Sequence, residues 1–222
     1  MRRYHKAMMI KIYYADISNL DIDNLDIDKN LKDISVYRQE KLNKIKPILS
    51  KKQSLGAELL LNFAAKENFP DISLPLNIKI EQLGKPYCDE LPFFFSLSHS
   101  GNFSACTICE KEIGLDIQKP SVYKENILKR QFSVSEQEYI ENAEDKNKAF
   151  TKLWSMKESY IKALGTGLHT ALNSFSVWPQ AIIKSESSEI YNIQSYCIED
   201  YWFSVCVFSS DCNLPLIKKI EL

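Results

Sequence analysis

The chain has 222 residues, of which 45% are hydrophobic and 26% are charged, and its formal net charge is −1. This composition is typical of a globular protein with enough apolar mass for a real core. The balanced charge gives no basic field for nucleic acid or for an anionic membrane, so we expect neither partner. No apolar run approaches the roughly 18 residues needed to span a membrane, and the basic N-terminus lacks a cleavage site for secretion, so we expect a cytoplasmic protein.

The six cysteines leave two interpretations open at first, a zinc site or reduced core residues. The CTIC segment at 106–109 resembles half a zinc site, but neither a second CxxC nor a spaced histidine pair follows it. Cys106 and Cys109 fall in a predicted strand, where they point to opposite faces and cannot share a metal. The sequence therefore predicts reduced, mainly buried thiols, at Cys88, Cys106, Cys109, Cys197, Cys206 and Cys212.

The first half of the chain alternates between predicted strands and helices. A strand over 9–15 precedes an acidic near-repeat, LDID twice in 20–28, which indicates a solvated turn or short helix. Helices are predicted over 36–49 and 51–67, the second with an apolar stripe at the helical period. Strands are predicted over 76–83, 93–98 and 103–109. A lysine cluster on the two helices, ordinarily a solvated face, comprises Lys41, Lys44, Lys46, Lys51 and Lys52.

The second half repeats the same mixture. A strand over 113–118 leads to helices over 123–131, 135–143 and 146–164, and strands follow over 174–179, 189–198 and 201–209. The pattern F-S-x-C occurs at 103–106 and again at 203–206, nearly half the chain apart. This spacing is what a duplicated unit would produce. We therefore predict an α+β protein of two similar α/β halves, 1–112 and 113–222.

The strand IGLDIQ presents two oxygen donors on one face. Asp116 and Gln118 share the face opposite Ile113, Leu115 and Ile117, because side chains alternate along a strand. A carboxylate beside a carboxamide suits Mg²⁺, which binds through one or two carboxylates together with phosphates and water. Taken alone, the same pattern also fits an exposed face of an edge strand.

The helix over 146–164 carries charges among its apolar residues. Trp154, Glu158 and Lys162 are spaced four residues apart and share one face. An ordinary helical ion pair explains Glu158 and Lys162 equally well in isolation. The large apolar residues around them and the glycine-rich end at 165–167 favour a cleft that another group approaches closely.

The segment SLSHSGN at 96–102 collects small hydrogen-bond donors around one histidine. Ser98 and His99 are of the type that meets a phosphate, although a lone histidine after a strand is as often a packed or surface residue. Motifs of dinucleotide-binding proteins, P-loop proteins and α/β-hydrolases do not occur in the sequence.

Taken in order, these motifs resemble the 4′-phosphopantetheinyl transferases of the larger, surfactin-type class. The matching segments are GKP (84–86), FSLSHSGN (95–102), IGLDIQ (113–118), FSVSEQEY (132–139), KLWSMKESYIKALGTGL (152–168) and LNSFSV (172–177). The resemblance implies a pseudo-twofold fold with its active site in the cleft between two halves. It also implies an enzyme that moves phosphopantetheine from coenzyme A to a serine of an apo acyl, peptidyl or polyketide carrier protein, releasing 3′,5′-ADP.

The resemblance further implies a role for each matching residue. Asp116, Glu158 and Gln118 correspond to the Mg²⁺ site, and Glu158 is also the candidate base. Lys162, with Lys157 as an alternative, corresponds to the cation on the pyrophosphate. Lys85 corresponds to the adenine end. The pocket for the 3′-phosphate corresponds to Ser98 and His99 together with Lys41, Lys44 and Ser54 of the basic helices.

One position departs from the family pattern. The family commonly has a second acidic residue where this chain has Gln118, whose amide contributes no charge. We therefore expect poor metal affinity without coenzyme A. A non-catalytic relative that binds coenzyme A or a carrier is the alternative function, and a Mg²⁺-dependent nucleotide hydrolase is a third. Because one chain supplies both halves of the cleft, we expect a monomer.

Overall fold

The computed structural model describes residues 9–21, 32–179, 182–184, 190–209 and 214–222. Over these residues the chain forms a mixed α+β fold with two four-stranded sheets and a short two-stranded ribbon. The predicted α+β class is confirmed. The helices are α1 (Val36–Lys44), α2 (Ile48–Asn68), α3 (Glu125–Gln131), α4 (Val134–Glu141) and α5 (Lys146–Leu164).

The first sheet has the strand order β10-β1-β5-β4. Its neighbours are antiparallel except for β1 and β10, which are parallel. One face packs against α2, where Leu60 and Leu61 meet Tyr13 and Phe95 in a buried cluster. The strands are β1 (Lys11–Asp16), β4 (Phe94–Ser100), β5 (Phe103–Cys109) and β10 (Leu216–Lys219), and the separate ribbon pairs β2 (Lys79–Ile80) with β3 (Pro86–Tyr87).

The second sheet is antiparallel, with the order β6-β9-β8-β7. Its helical face packs against α5 and its neighbours, and this cluster includes Leu153, Tyr160, Ile193 and Cys206. The strands are β6 (Ile113–Gln118), β7 (Ile182–Lys184), β8 (Ile190–Ile198) and β9 (Tyr201–Phe208).

A third cluster joins the two sheets face to face. Ile12 and Phe103 of the first sheet pack with Leu115, Ile117 and Phe203 of the second. The alternation of β6 is confirmed, because its odd-numbered residues enter this core and its even-numbered residues face α5. In the two F-S-x-C segments, both phenylalanines enter the shared core, while each cysteine faces the helix layer of its own sheet. The pseudo-twofold relation stays a prediction that this correspondence supports.

Four predictions about individual segments need correction. The second helix begins at Ile48, since Pro47 separates it from α1. Only Lys79–Ile80 of the predicted strand 76–83 is a strand. The predicted strand 174–179 is irregular, because the N–H of Val177 binds the Glu136 side chain and not a neighbouring strand. Finally, β10 belongs to the first sheet although it lies within the predicted second half, 113–222.

The cysteine prediction is confirmed for most positions. Cys88, Cys106, Cys109 and Cys206 are free and buried, whereas Cys197 is free but exposed. Cys106 and Cys109 enter different cores on opposite faces of β5, so they cannot share a zinc ion. Cys212 and most of the acidic near-repeat lie outside the described residues. Among the described helices, none combines the length and apolar character needed to cross a membrane.

Gly114 allows α5 to lie directly on β6. A methyl group at this position would overlap the carbonyl oxygen of Ser159 and the backbone nitrogen of Ala163. We expect Gly114→Ala to lower the free energy of unfolding by about 1–3 kcal/mol and to reduce activity, because α5 carries Glu158. Ile113→Val on the same strand should cost about 0.5–1.5 kcal/mol and leave activity intact. Urea denaturation measures both losses, and a Gly114→Ala variant as stable as the unmodified protein would contradict the close contact.

Candidate active site

Three serines of β4 attach the first sheet to the second. The hydroxyl oxygens of Ser96, Ser98 and Ser100 accept hydrogen bonds from the backbone N–H groups of Leu115, Ile117 and Lys119, at 3.0, 3.1 and 3.0 Å. β6 is an edge strand, so its outward N–H groups need partners from outside its sheet. The alternating serines supply them, and this contact places β4 beside Asp116.

Asp116 is the centre of a buried polar cluster. Its Oδ1 accepts hydrogen bonds from Lys162 Nζ at 2.8 Å and from the Ser98 hydroxyl at 3.0 Å. Its Oδ2 accepts one from Gln118 Nε2 at 3.0 Å. The Asp116 side chain is 5% exposed and that of Lys162 is 31% exposed, so the ion pair lies at the floor of a cleft that Lys162 borders.

Glu158 lies one helical turn before Lys162 and faces the same cleft. Burial raises the pKa of its carboxyl group, and the negative charge of Asp116 raises it further, while Lys162 opposes both effects. The two carboxylates are therefore close enough to repel each other. Among the described residues, none donates a hydrogen bond to Glu158, which leaves its oxygens available to a ligand.

A cavity of about 290 Å³ opens beside these groups. Glu158, Ile161 and Lys162 form one wall, Phe95–Leu97 of β4 form another, and the loop 83–86 closes the end together with Gly165 and Gly167. Lys85 donates a hydrogen bond from Nζ to the carbonyl oxygen of Ala163 at 2.7 Å. Burial lowers the pKa of Lys85, and Glu112 and Glu81 oppose this shift. Lys85 thus holds the GKP loop against the end of α5.

A second group of cations influences His99, which is exposed near the end of β4. Loss of water around the ring, and after it the positive charges of Lys162, Lys41 and Arg38, lower the pKa of His99 to about 4. Withdrawal from water and the guanidinium of Arg38 also lower the pKa of Lys41. We call this group, His99 with Lys41, Arg38 and Lys162, the cationic pocket; two of its cations also pair with carboxylates, and its net positive charge suits an anion.

Arg38 was missed in the sequence analysis. Its Nε forms an ion pair with Glu58 Oε2 at 2.9 Å, and its Nη1 donates a hydrogen bond to the Ser54 hydroxyl at 2.8 Å. Glu58 also accepts from the backbone N–H and the hydroxyl of Ser35, the N-cap of α1. The spacing of three residues to Lys41 could have identified Arg38, because residues three apart share a helix face.

The structure corrects the prediction for Ser54 and shows the partners of the Ser98 hydroxyl. Ser54 is 1% exposed and lies behind Arg38, so it supports the guanidinium and cannot itself line an open pocket. The Ser98 proton points to Asp116, and its oxygen accepts from Ile117 and Lys162. The Ser98 hydroxyl therefore belongs to the Asp116 cluster, and the predicted contact of Ser98 with a 3′-phosphate stays a prediction. Lys44 is exposed near the end of α1, as Lys41 is, but it is not among the charges that lower the pKa of His99.

Lys157 is also wrong as a second cation in the cleft. Its side chain is 0% exposed and forms an ion pair with Glu136, which is also 0% exposed, at 2.9 Å. The ammonium donates further hydrogen bonds to the carbonyl oxygens of Leu172 and Phe175 at 2.8 and 2.7 Å. The Glu136 carboxylate accepts from the backbone N–H groups of Ser133 and Val177. This pair joins α4, α5 and the segment 172–177 beneath the cleft.

The residues present fit a Mg²⁺ ion that is completed by a ligand. Over the described part of the chain, no three His, Cys, Asp or Glu residues are grouped as a metal site. Asp116 and Glu158, with the Gln118 amide beside them, instead offer two carboxylates and one neutral group. Mg²⁺ usually retains waters and is held by one or two carboxylates and substrate phosphates, so this set suits it.

Comparisons with known proteins identify the family of this chain. Residues 112–206 match the 4′-phosphopantetheinyl transferase superfamily. A 4′-phosphopantetheinyl transferase of Bacillus subtilis is 31% identical over 204 residues, which cover 87% of this chain and 91% of that protein. This chain belongs to the 4′-phosphopantetheinyl transferase superfamily. The predicted family and its transferase class are thereby confirmed.

Two more transferases are similar to this chain, and one solved structure was matched at low similarity. The 4′-phosphopantetheinyl transferase Sfp of Bacillus subtilis strain 168 is 32% identical over 157 residues, covering 68% of this chain and 70% of that protein. The Gsp transferase of Aneurinibacillus migulanus is 33% identical over 147 residues, covering 62% of this chain and 61% of that protein. The holo-[acyl-carrier-protein] synthase of Thermotoga maritima aligns over 45% of this chain and 64% of that chain, with a TM-score of 0.31 and 16% identity.

The pKa of His99 leads to a prediction in this phosphopantetheinyl transferase. In the free protein we expect the ring to stay neutral until the pH falls to about 4. Because the unfolded chain takes up this proton at a higher pH, the contribution of His99 to stability decreases as the pH falls from the ordinary histidine range toward that value. Adding 3′,5′-ADP should raise the pKa, since phosphates offset the surrounding cations.

Proton–nitrogen NMR spectra recorded across the pH range measure this pKa, and the His99→Gln variant assigns the signal. A midpoint at the ordinary histidine value in the free protein would contradict the cationic environment. An unchanged midpoint with 3′,5′-ADP would mean that the anion binds elsewhere.

Proposed function

We propose that this protein transfers the 4′-phosphopantetheine arm of coenzyme A to a serine of an apo carrier protein and releases 3′,5′-ADP. One observation supports this most strongly. Asp116, Glu158 and Lys162 lie together at a cavity beside the cationic pocket of His99. Coenzyme A carries a pyrophosphate and a separate 3′-phosphate, so its binding needs positive charge at two positions. Transfer also needs carboxylates that hold a metal ion and accept the proton of the attacking serine. This cleft offers both.

The proposed metal is Mg²⁺, held by Asp116 and Glu158 with phosphate oxygens and water, while Gln118 stays beside Asp116. When bound, it would neutralise charge on the pyrophosphate as the bridging oxygen leaves. Lys162 would contact the same pyrophosphate, because its ammonium already lies at the mouth of the Asp116 cluster. Lys85 and the loop 83–86 would enclose the adenine end of coenzyme A.

Glu158 is the proposed base. The carrier serine must lose its proton as its oxygen attacks the phosphorus that bears pantetheine, and the P–O bond to 3′,5′-ADP breaks. The raised pKa of Glu158 makes it a stronger base than an ordinary glutamate once it is ionised. Its position at the cavity wall, within reach of a group that enters the cleft, suits this role.

The cationic pocket is the proposed site of the 3′-phosphate. We expect Lys41→Met to raise the KM for coenzyme A roughly 10-fold, the equivalent of about 1.5 kcal/mol for one charge-assisted hydrogen bond. The KM for dephospho-coenzyme A, which lacks the 3′-phosphate, should hardly change. Lys44→Met is the matched comparison and should have the smaller effect, since the Lys44 charge does not influence His99. Equal effects on both substrates would contradict this placement.

The proposed docking surface for the carrier begins beside Gln118. Val122 and Val134 are 74% and 71% exposed, and a small cavity of about 140 Å³ lies between Gln118, Ile127 and Trp154. An exposed apolar surface next to the reacting groups suits a partner that must insert one serine into the cleft.

The deciding experiment is the intact mass of several apo carrier proteins after incubation with coenzyme A, Mg²⁺ and this protein. The expected result is an increase by one phosphopantetheine group, lost when the carrier serine is replaced by alanine. No mass increase on any acyl, peptidyl or polyketide carrier would overturn the proposal and favour the non-catalytic binding protein.

We propose a monomer, because both sheets of one chain contribute to the cleft. The cytoplasmic location stays a prediction.

A further inference from the structure

Both oxygens of Asp116 have hydrogen-bond partners within the protein. Oδ1 accepts from the Lys162 ammonium and the Ser98 hydroxyl, and Oδ2 accepts from the Gln118 amide. The side chain is 5% exposed, so it depends on these donors more than on water. Lys162 is the one positive charge in this set, and it therefore balances Asp116 as a metal ion would.

These partners differ in how easily they can leave. Ser98 is held in place, because its oxygen also accepts the backbone N–H of Ile117. Lys162 is 31% exposed and has a flexible stem, so it can turn away from Asp116 while remaining in the cleft. The Lys162 ammonium would need an anion as its new partner, because a divalent cation at Asp116 would repel the ammonium.

We infer that Lys162 occupies the cation position of Asp116 in the free protein and exchanges it for a metal ion only when a pyrophosphate accepts the ammonium. Divalent metal and coenzyme A then bind together, each strengthening the other by the same factor. This inference rests on the proposed function for the identity of the pyrophosphate. Lys162 and the missing charge at Gln118 would then both cause the poor metal affinity that we expect without coenzyme A.

The inference predicts that removing a positive charge strengthens metal binding. With Mn²⁺ as the probe, the free ion can be counted by electron paramagnetic resonance in the absence of any carrier protein. Lys162→Met and Lys162→Gln should each bind Mn²⁺ at least about 10-fold more tightly than the unmodified protein. Lys148→Met removes the same charge from an exposed position at the start of α5 and should change nothing.

Coenzyme A provides the second arm of the experiment. It should tighten Mn²⁺ binding to the unmodified protein about 10-fold or more, and it should tighten binding to both Lys162 variants much less. Circular dichroism confirms that each variant is folded. If either Lys162 variant binds Mn²⁺ no more tightly than the unmodified protein, or if coenzyme A strengthens all proteins equally, the inference is overturned.

The two proposals fail in different ways. Failure of the carrier mass assay with the expected Mn²⁺ affinities would count against the transfer reaction and leave the exchange of Lys162 standing. Successful transfer with equal Mn²⁺ affinities would count against the exchange alone.

Discussion

Glu158→Gln is expected to lower the rate of phosphopantetheine transfer by about 10²- to 10⁴-fold, the usual contribution of a positioned general base. Glutamine has nearly the same size and still places an oxygen in the cleft, but it cannot accept the proton of the carrier serine. The variant also leaves Asp116 as the one carboxylate of the proposed metal site, so its requirement for Mg²⁺ should rise. Fold and stability should be retained, because Glu158 lies at the cavity wall and no described residue donates a hydrogen bond to it.

Single-turnover transfer at saturating coenzyme A and Mg²⁺ separates these effects. Glu110→Gln makes the same chemical change at an exposed position in the turn after β5 and should leave the rate unchanged. Glu158→Asp retains the carboxylate on a shorter stem and should recover part of the activity. If Glu158→Gln transfers phosphopantetheine at the original rate while binding coenzyme A normally, Glu158 is not the base.

Lys157→Met is expected to have the largest effect on stability. Removing one partner of a buried ion pair typically costs about 3–5 kcal/mol, because the other charge remains buried without compensation. Here Glu136 would lose its cation, and the carbonyl groups of Leu172 and Phe175 would lose their common donor. The contact of α4 and the segment 172–177 with α5 should therefore loosen.

Urea denaturation measures this loss, and Lys148→Met on the same helix should stay within about 0.5 kcal/mol of the original stability. The affinity for coenzyme A distinguishes a structural role of Lys157 from the role as a cation in the cleft that the sequence predicted. The folded fraction of Lys157→Met should bind coenzyme A normally, since the buried ammonium faces away from the cleft. A stable Lys157→Met protein with weak coenzyme A binding would restore the original interpretation of Lys157.

The periodicity of single elements was sufficient to group the reactive residues. Alternation along β6 placed Asp116 and Gln118 on the face opposite Ile113, Leu115 and Ile117. The helical spacing placed Glu158 and Lys162 on one face of α5. Both groupings hold in the structure, because they depend on local backbone geometry alone. The order of the motifs then identified the family, which the comparisons confirm.

The partner of each charged residue depended on the tertiary structure. Lys157 and Glu158 are adjacent in sequence, yet the helix turns one toward Glu136 in the core and the other toward the cleft. The sequence predicted Ser98 as a phosphate donor, but its hydroxyl oxygen accepts a hydrogen bond from β6. The contacts of Arg38 with Glu58 and Ser54 likewise could not be read from the sequence.

The sequence by itself therefore determined the α+β class, the family and the faces on which the candidate catalytic residues lie. The tertiary structure decided which charged side chains are buried, which hydroxyl groups already form hydrogen bonds and which sheet the last strand joins. The physical reason is that local patterns specify the direction of a side chain, whereas hydrogen bonds and ion pairs also need a partner. Those partners come from α4, β4 and β10, which lie far along the chain from the residues they meet.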